Sequence, residues 1–432
     1  MKKNSQVMKR RWNWRFKIVS ILLYTFSIYS FGQVSEKTFT QEIDVNENIN
    51  IVTNVPTSLD IQINTHVAHR SNTKYGYIVI GKNNQERLFV HKEYDIQTWE
   101  RNTIRQEVDI KIKSKSQANN EAFFNQLKII LAENQNKKVV VDANMNLAKF
   151  TLQNGRFKSD ASQIILKNGN TFSVEYLEIK TRLFIPKSAN LKVNSILNHT
   201  LILGDLDGDL DLNIQYGEVY GKKIKNLNAN LRFCYNVIFK EAEMVNANAT
   251  NSHLKIDKVK NLTIGENKLS KDLTAKNTLD QWMDNNSSMN IYNIRTVKKM
   301  VISDTANDKI NIGEVDYLEI KSSIFSNYDI LKLNETLILN AKNGDISISE
   351  VSKDFKNINL KNTHSKVTIN IPAIGNYGIN IFNVKSVEYK LLTEAKLMKK
   401  ESNKNAHFKI GKNKNTGVID IQCDRCELDI WD

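Results

Sequence analysis

The sequence predicts an all-β chain wound centrally as a parallel β-solenoid of about ten rungs of 18–19 residues, with an N-terminal β-rich cap containing one helix. Three observations carry this. Leu201, Val219, Ile238, Leu254, Leu273, Ile291, Ile310, Tyr328, Ile346 and Val367 recur at intervals of 18, 19, 16, 19, 18, 19, 18, 18 and 21 residues. Several of them open alternating segments, such as Ile310-Asn-Ile312 and Ile346-Ser-Ile348, with the period of two of a half-buried strand. A second strand, phase-locked to the first, recurs at Met300, Leu318, Leu337, Ile358 and Ile379. A unit this short holds two or three strands joined at corners. An ordinary β-sandwich is the alternative, but hairpin pairs such as Asn-Gly are scarce.

Three residues before the first column runs another: Asn198, Tyr216, Tyr235, Asn251, Ser270, Ser288, Asn307, Phe325, Asn343 and His364. The position after it is often small or turn-forming, as at Ser252, Asp308, Ser326, Gly344 and Ser365, which suits a tight corner. Gly265 to Ser287 holds few strand formers, so a loop is expected to bulge there, with Leu273 keeping register.

Residues 1–32 read as a signal peptide: seven Lys/Arg and no acid in 1–17, an apolar run Ile18–Phe31, then a small residue before Gln33. The run is shorter than the roughly 20 apolar residues of a membrane span, so no span is expected after its removal. The formal net charge of +14 falls to +7 without those seven cations, which is ordinary and gives no reason to expect a nucleic-acid partner.

Residues 33–175 read as the cap. Strands are expected at Phe39–Val55, Leu59–Ile63, Tyr75–Ile80, Tyr94–Trp99, Val108–Ile112 and Val139–Val141. The helix is expected over Gln117–Leu131, capped by Ser116, with Ala122, Phe123, Leu127, Ile130 and Leu131 as its apolar stripe. The repeats then occupy 176–383, and closing strands occupy 384–432.

The chemistry-bearing residues form no catalytic constellation. His66 and His69, three apart on a strand, face opposite ways, and the other histidines are dispersed. Asp205-Leu-Asp207-Gly-Asp209-Leu-Asp211 resembles a calcium loop, but its glycine and the residue at the twelfth position, Tyr216, are wrong; it reads as a turn between strands. No metal or cofactor is expected. Cys423-Asp-Arg-Cys426 lacks a βαβ setting and a second ligand pair, and reads as a local disulfide, with two free thiols as the alternative. Cys234 reads as a small core residue.

Phe184-Ile-Pro186-Lys-Ser-Ala-Asn-Leu191-Lys-Val193, followed by Tyr216-Gly-Glu-Val219 and Asn343-Gly-Asp-Ile346-Ser-Ile348, resembles a family of bacterial exported proteins called putative adhesins. The resemblance implies a β-solenoid at the cell envelope or surface and brings no catalytic residues. Several rungs depart from the family pattern, with Asn, Ser or His in place of the aromatic residue. The expected function is therefore non-enzymatic, adhesin-like binding of a surface polymer or envelope protein. The expected location is the periplasm, the outer membrane or the cell surface. The alternatives are a self-associating envelope scaffold and a polysaccharide-degrading β-helix enzyme.

Overall fold

Parallel pairing dominates the chain. The computed structural model describes residues 32–431 apart from 47–48, 56–58, 64–76, 81–85, 127, 134–137, 145–147, 153–162, 166–170, 197–199, 216, 266–288, 304, 383–385, 391–395, 403–404 and 412–415. The expected signal peptide thus lies outside the described residues, as do Leu273, Asn198, Tyr216, His66 and His69. The described residues form an all-β fold with one helix, in which a single large sheet of mostly parallel strands is joined by a two-stranded one.

Within the repeats each strand pairs with its counterpart about one period later. Ile291–Ile302 lies against Lys309–Ile320, which lies against Asn327–Lys342, and the partners are 18 apart at Tyr292↔Ile310 and Ile310↔Tyr328. The resulting apolar column reads Tyr94, Leu201, Val219, Val237, Leu254, Tyr292, Ile310, Tyr328, Ile346, Val367 and Leu428. A second reads Ile51, Leu191, Leu210, Leu227, Val245, Leu262, Met300, Leu318, Leu337 and Ile358. These side chains are buried and belong to one continuous core.

The expected column needs three corrections. Val237 and Tyr292 take the core places assigned to Ile238 and Ile291, because period two puts the immediate neighbour on the opposite face. Leu254 pairs directly with Tyr292, so the ladder has no rung for Leu273, and the 266–288 stretch interrupts no strand pairing. Finally, Ile358 does not neighbour Ile379. Gly417–Asp424 inserts between Asn357–Thr363 and Tyr377–Phe382, giving the order Ile358↔Ile419↔Ile379. Likewise Glu427–Trp431 lies between Lys366–Asn370 and Ser386–Lys390. The C-terminal strands therefore sit within the ladder, and the segment preceding them, with the antiparallel pair Lys396–Ser402 and Asn405–Ile410, lies beyond them.

At the N-terminal end the ladder continues through Thr171–Pro186, which pairs parallel with Glu86–Trp99 and antiparallel with Thr103–Ser114. Trp99 stacks on Phe184, ring centroids 5.3 Å apart. The helix is shorter than expected, Gln117–Gln126, and Ser116 Oγ caps it by accepting the Asn119 N–H. Ile130 and Leu131 belong instead to the strand Lys128–Glu133, paired with Lys138–Asn144: the β-branched Ile129–Ile130 pair prefers a pleated surface, and Lys138-Val-Val-Val141 supplies one.

Candidate binding surface

Parallel stacking turns a residue that recurs once per period into a column. Asparagine recurs on the outward side of Asn190–Ile196, Leu206–Gln215, Glu218–Arg232 and Asn236–Thr250. There Asn194 pairs with Asn213, Asp211 with Asn228, and Asn228 with Asn246. Side-chain amides bond from rung to rung: Asn213 Nδ2 donates to Asn194 Oδ1 at 3.0 Å, Asn228 Nδ2 to Asp211 Oδ1 at 2.8 Å, and Asn246 Nδ2 to Asn228 Oδ1 at 3.0 Å. A neighbouring column runs from Asn50 through Asn190 and Asp209 to Asn226; Asn190 Nδ2 donates to Asn50 Oδ1 at 3.2 Å and Asn226 Nδ2 to Asp209 Oδ1 at 2.8 Å.

An amide offers two N–H groups and two acceptor lone pairs. Asn228 spends one of each on its ladder, leaving one N–H and one lone pair for the outside. The columns thus form a grid of donors and acceptors, spaced about 4.8 Å along the ladder and about 6.6 Å across it.

The acidic run belongs to this grid. Leu206–Gln215 is one strand, where a turn was expected, and its leucines point inward. Gly208 marks a register shift against Glu218–Arg232; a Cβ there would sit 2.1 Å from the Ala189 carbonyl oxygen. Each aspartate has its own partner: Asp205 accepts the Lys223 N–H at 3.1 Å, Asp207 pairs with Lys187 at 3.3 Å, and Asp209 and Asp211 hold Asn226 and Asn228. The four carboxylates are strung along a strand and committed separately, so they do not converge on one point.

The second recurring feature is a corner. Phe233, Asn251, Asn307, Phe325, Asn343, His364 and Arg425 all have left-handed backbone, φ 48 to 58°. The residue after the corner turns inward and supports the rung before it. The Cys234 N–H donates to Ser252 Oγ at 3.0 Å, the Ser252 N–H to Asn290 Oδ1 at 3.1 Å, the Asn290 N–H to Asp308 Oδ1 at 3.0 Å, and the Asp308 N–H to Ser326 Oγ at 3.1 Å. Asp308 is only 5% exposed, and burial pushes its carboxyl above the usual carboxylate range against the opposing hydrogen bonds from Thr305 and Asn290. Burial likewise raises the phenols of Tyr292 and Tyr328, with a smaller push from the Asp308 charge.

The corner also explains the cysteines. Cys423 and Cys426 flank left-handed Arg425 and are joined by a disulfide, buried in the column that holds Asn362 and Ser365 one rung earlier. Cys234 is a free, buried thiol.

Of the aromatic positions in the expected corner column, Phe325 is 56% exposed, and Tyr235 is exposed and meets the His253 ring edge-on at 5.5 Å. Tyr235 stands two residues beyond the left-handed position, which Phe233 holds. His364 accepts from Arg425 at 3.2 Å and His407 bonds Asn380 at 2.9 Å, so the histidines remain apart. A shallow cleft of about 230 Å³ lies across the strands between Lys309 and Lys366, with Asn327, Asp329 and Asp345 on its walls. Lys366 is ion-paired there with Glu427 and Asp429, each at 3.4 Å.

No family model matches the chain, and no curated protein matches it. Three similar solved structures are a putative adhesin from Parabacteroides distasonis ATCC 8503, a putative adhesin from Parabacteroides merdae ATCC 43184 and a putative cell adhesion protein from Clostridium sporogenes ATCC 15579. The first is 10% identical and aligned over 79% of this chain and 92% of its own, with a TM-score of 0.27. The second is 11% identical over 78% and 90%, with a TM-score of 0.26. The third is 10% identical over 92% and 99%, with a TM-score of 0.16. These neighbours bear the adhesin name of the family that the sequence resembles; at such TM-scores the likeness bears no functional conclusion.

Proposed function

We propose that the parallel ladder winds as a β-solenoid and that the protein is an exported, non-enzymatic, adhesin-like surface protein. It binds through repeated side-chain columns, above all the asparagine grid. The observation that carries this reading is the rung-to-rung amide ladder from Asp211 through Asn228 to Asn246. It holds identical hydrogen-bonding groups at a fixed pitch on a stiff support. A polymer whose own polar groups repeat then makes many contacts at once, and their joint effect exceeds any single one.

Protease treatment of intact cells tests the location. Release of peptides from 206–263 into the medium is expected, and full protection of the chain would remove the surface role. Asn228→Ala combined with Asn246→Ala tests the face itself. Weakened retention of the protein on the cell-surface polymer fraction, with an unchanged melting curve, is the expected result.

A further inference from the structure

We propose that the corner at Ile324 and Phe325 is a membrane-contact point, an apolar tip on a lysine-bearing edge that seats in the interface of a bilayer carrying anionic head groups. The starting observation is a misfit. Left-handed backbone suits Asn, whose short polar side chain bonds locally, and three corners use it: Asn251, Asn307 and Asn343. Phenylalanine has no such compensation. The other aromatic corner, Phe233, is buried in the core, and its packing offsets the strain. Phe325, at φ 58°, is 56% exposed and gains no such burial. A residue that breaks the local rule without an internal return is expected where function requires it.

The surroundings indicate what the residue meets. Ile324, its neighbour, is 42% exposed, so two adjacent apolar side chains project at the same turn. The rung next to them places exposed Lys342 opposite Ile324. Exposed Lys321 precedes the turn, and exposed Lys361 lies two rungs along its column, beyond Asn340. Arg425 stands further along the same edge, with Asp424 as its acidic neighbour. Cations around a small convex apolar tip complement a surface that is anionic at the head groups and apolar just beneath. A bilayer needs no shaped pocket to receive such a tip. This contact uses neither the asparagine grid nor any polymer, so it stands independently of the function proposed above.

The test is co-sedimentation of the purified protein with phosphatidylcholine vesicles, with and without one quarter phosphatidylglycerol. Binding is expected to the anionic vesicles and to weaken as salt rises. Phe325→Asn restores the residue used at the neighbouring corners, so it should melt at or above the wild-type temperature while binding falls about five- to tenfold. Ile324→Ser should lower binding in the same direction. Lys321→Gln, Lys342→Gln and Lys361→Gln together should abolish the preference for anionic vesicles. Leu331→Asn, at another exposed apolar residue (57%), should change nothing. Absence of binding by the wild type, undiminished binding by Phe325→Asn, or self-association of the wild type that Phe325→Asn abolishes without vesicle binding would each overturn the proposal.

Discussion

Asp308 accepts the backbone N–H of Asn290 on Oδ1 at 3.0 Å, and Oδ2 takes the hydroxyl of Thr305 at 2.5 Å. One buried carboxyl thus serves the rung before it and the far side of its own corner. The ladder needs an acceptor at this place but not a charge, since Ser252, Asn290 and Ser326 do the same work uncharged. Asp308→Asn is therefore expected to stabilise the protein at neutral pH, by on the order of 1 kcal/mol. The sign with pH follows from the raised carboxyl. Between the unfolded value and the higher folded one, the folded state holds the proton more tightly. The stability this group contributes is present below the unfolded value and is lost as pH rises through the folded one. Melting curves from pH 3 to 8 should show the advantage of Asp308→Asn vanishing toward the acid end. Asp308→Ala leaves two donors without an acceptor and should cost about 1–3 kcal/mol for each.

Gly344 takes the corresponding place one rung beyond Ser326, and a Cβ there would come within 2.0 Å of the Ser326 carbonyl oxygen. Backbone cannot yield as a side-chain tip does. Gly344→Ala should destabilise by about 1–3 kcal/mol or more. Asn343→Gly, at the left-handed position beside it, should be close to neutral. Chemical denaturation of the two variants separates these outcomes.

The winding is legible in the sequence because a parallel coil repeats its buried positions at a nearly constant interval. Its phase is less legible. At Val237-Ile238 and Ile291-Tyr292 two apolar residues are adjacent, and period two does not decide which faces inward. The insertion of Gly417–Asp424 between Asn357–Thr363 and Tyr377–Phe382 leaves no local trace, because parallel partners far apart in sequence share no turn signal. The asparagine grid is visible as Asn226-x-Asn228-x-Asn230, yet one strand of it reads as an ordinary polar face; only stacking makes it a surface. Asn251, Asn307 and Asn343 advertise the corner by composition, whereas Phe325, His364 and Arg425 hold the same backbone against their own preference. The burial of Asp308 could not be read at all, since aspartate is usual in exposed turns.

Cys423 and Cys426 join across their corner as Thr305 and Asp308 do by hydrogen bond, with Cα atoms 5.6 Å apart. The closed loop is short, so the restriction it places on the unfolded chain is modest. Replacing both cysteines by serine should cost about 2 kcal/mol on the chain-entropy account. Reduction of the wild type should lower its denaturation midpoint by a similar free energy and leave the double variant unaffected. Cys234→Ala serves as the control, since that thiol is buried and unlinked, and should respond to reductant as the wild type does.

If the strands wind as stacked turns, one turn can be removed without disturbing its neighbours. Ile291 pairs with Lys309 and Ile310 with Tyr328, so the offset is 18 residues on both sides of this rung. Deleting residues 291–308 would bring Lys309 opposite His253, the place Ile291 now holds, and would keep every inward residue inward. The corner ladder would close as well: the Asn290 N–H, which now donates to Asp308, would meet Ser326 Oγ instead. Each turn contacts mainly the next, so the loss should amount to one turn's share of stability and not to collapse of the fold. The expected product is soluble, strand-rich by circular dichroism and cooperative in its melting, with a lower midpoint. Deleting nine residues, 300–308, leaves half a turn unmatched and should prevent folding. Equal failure of both deletions would mean that the strands are held by contacts reaching beyond adjacent turns, and the proposed winding would fall.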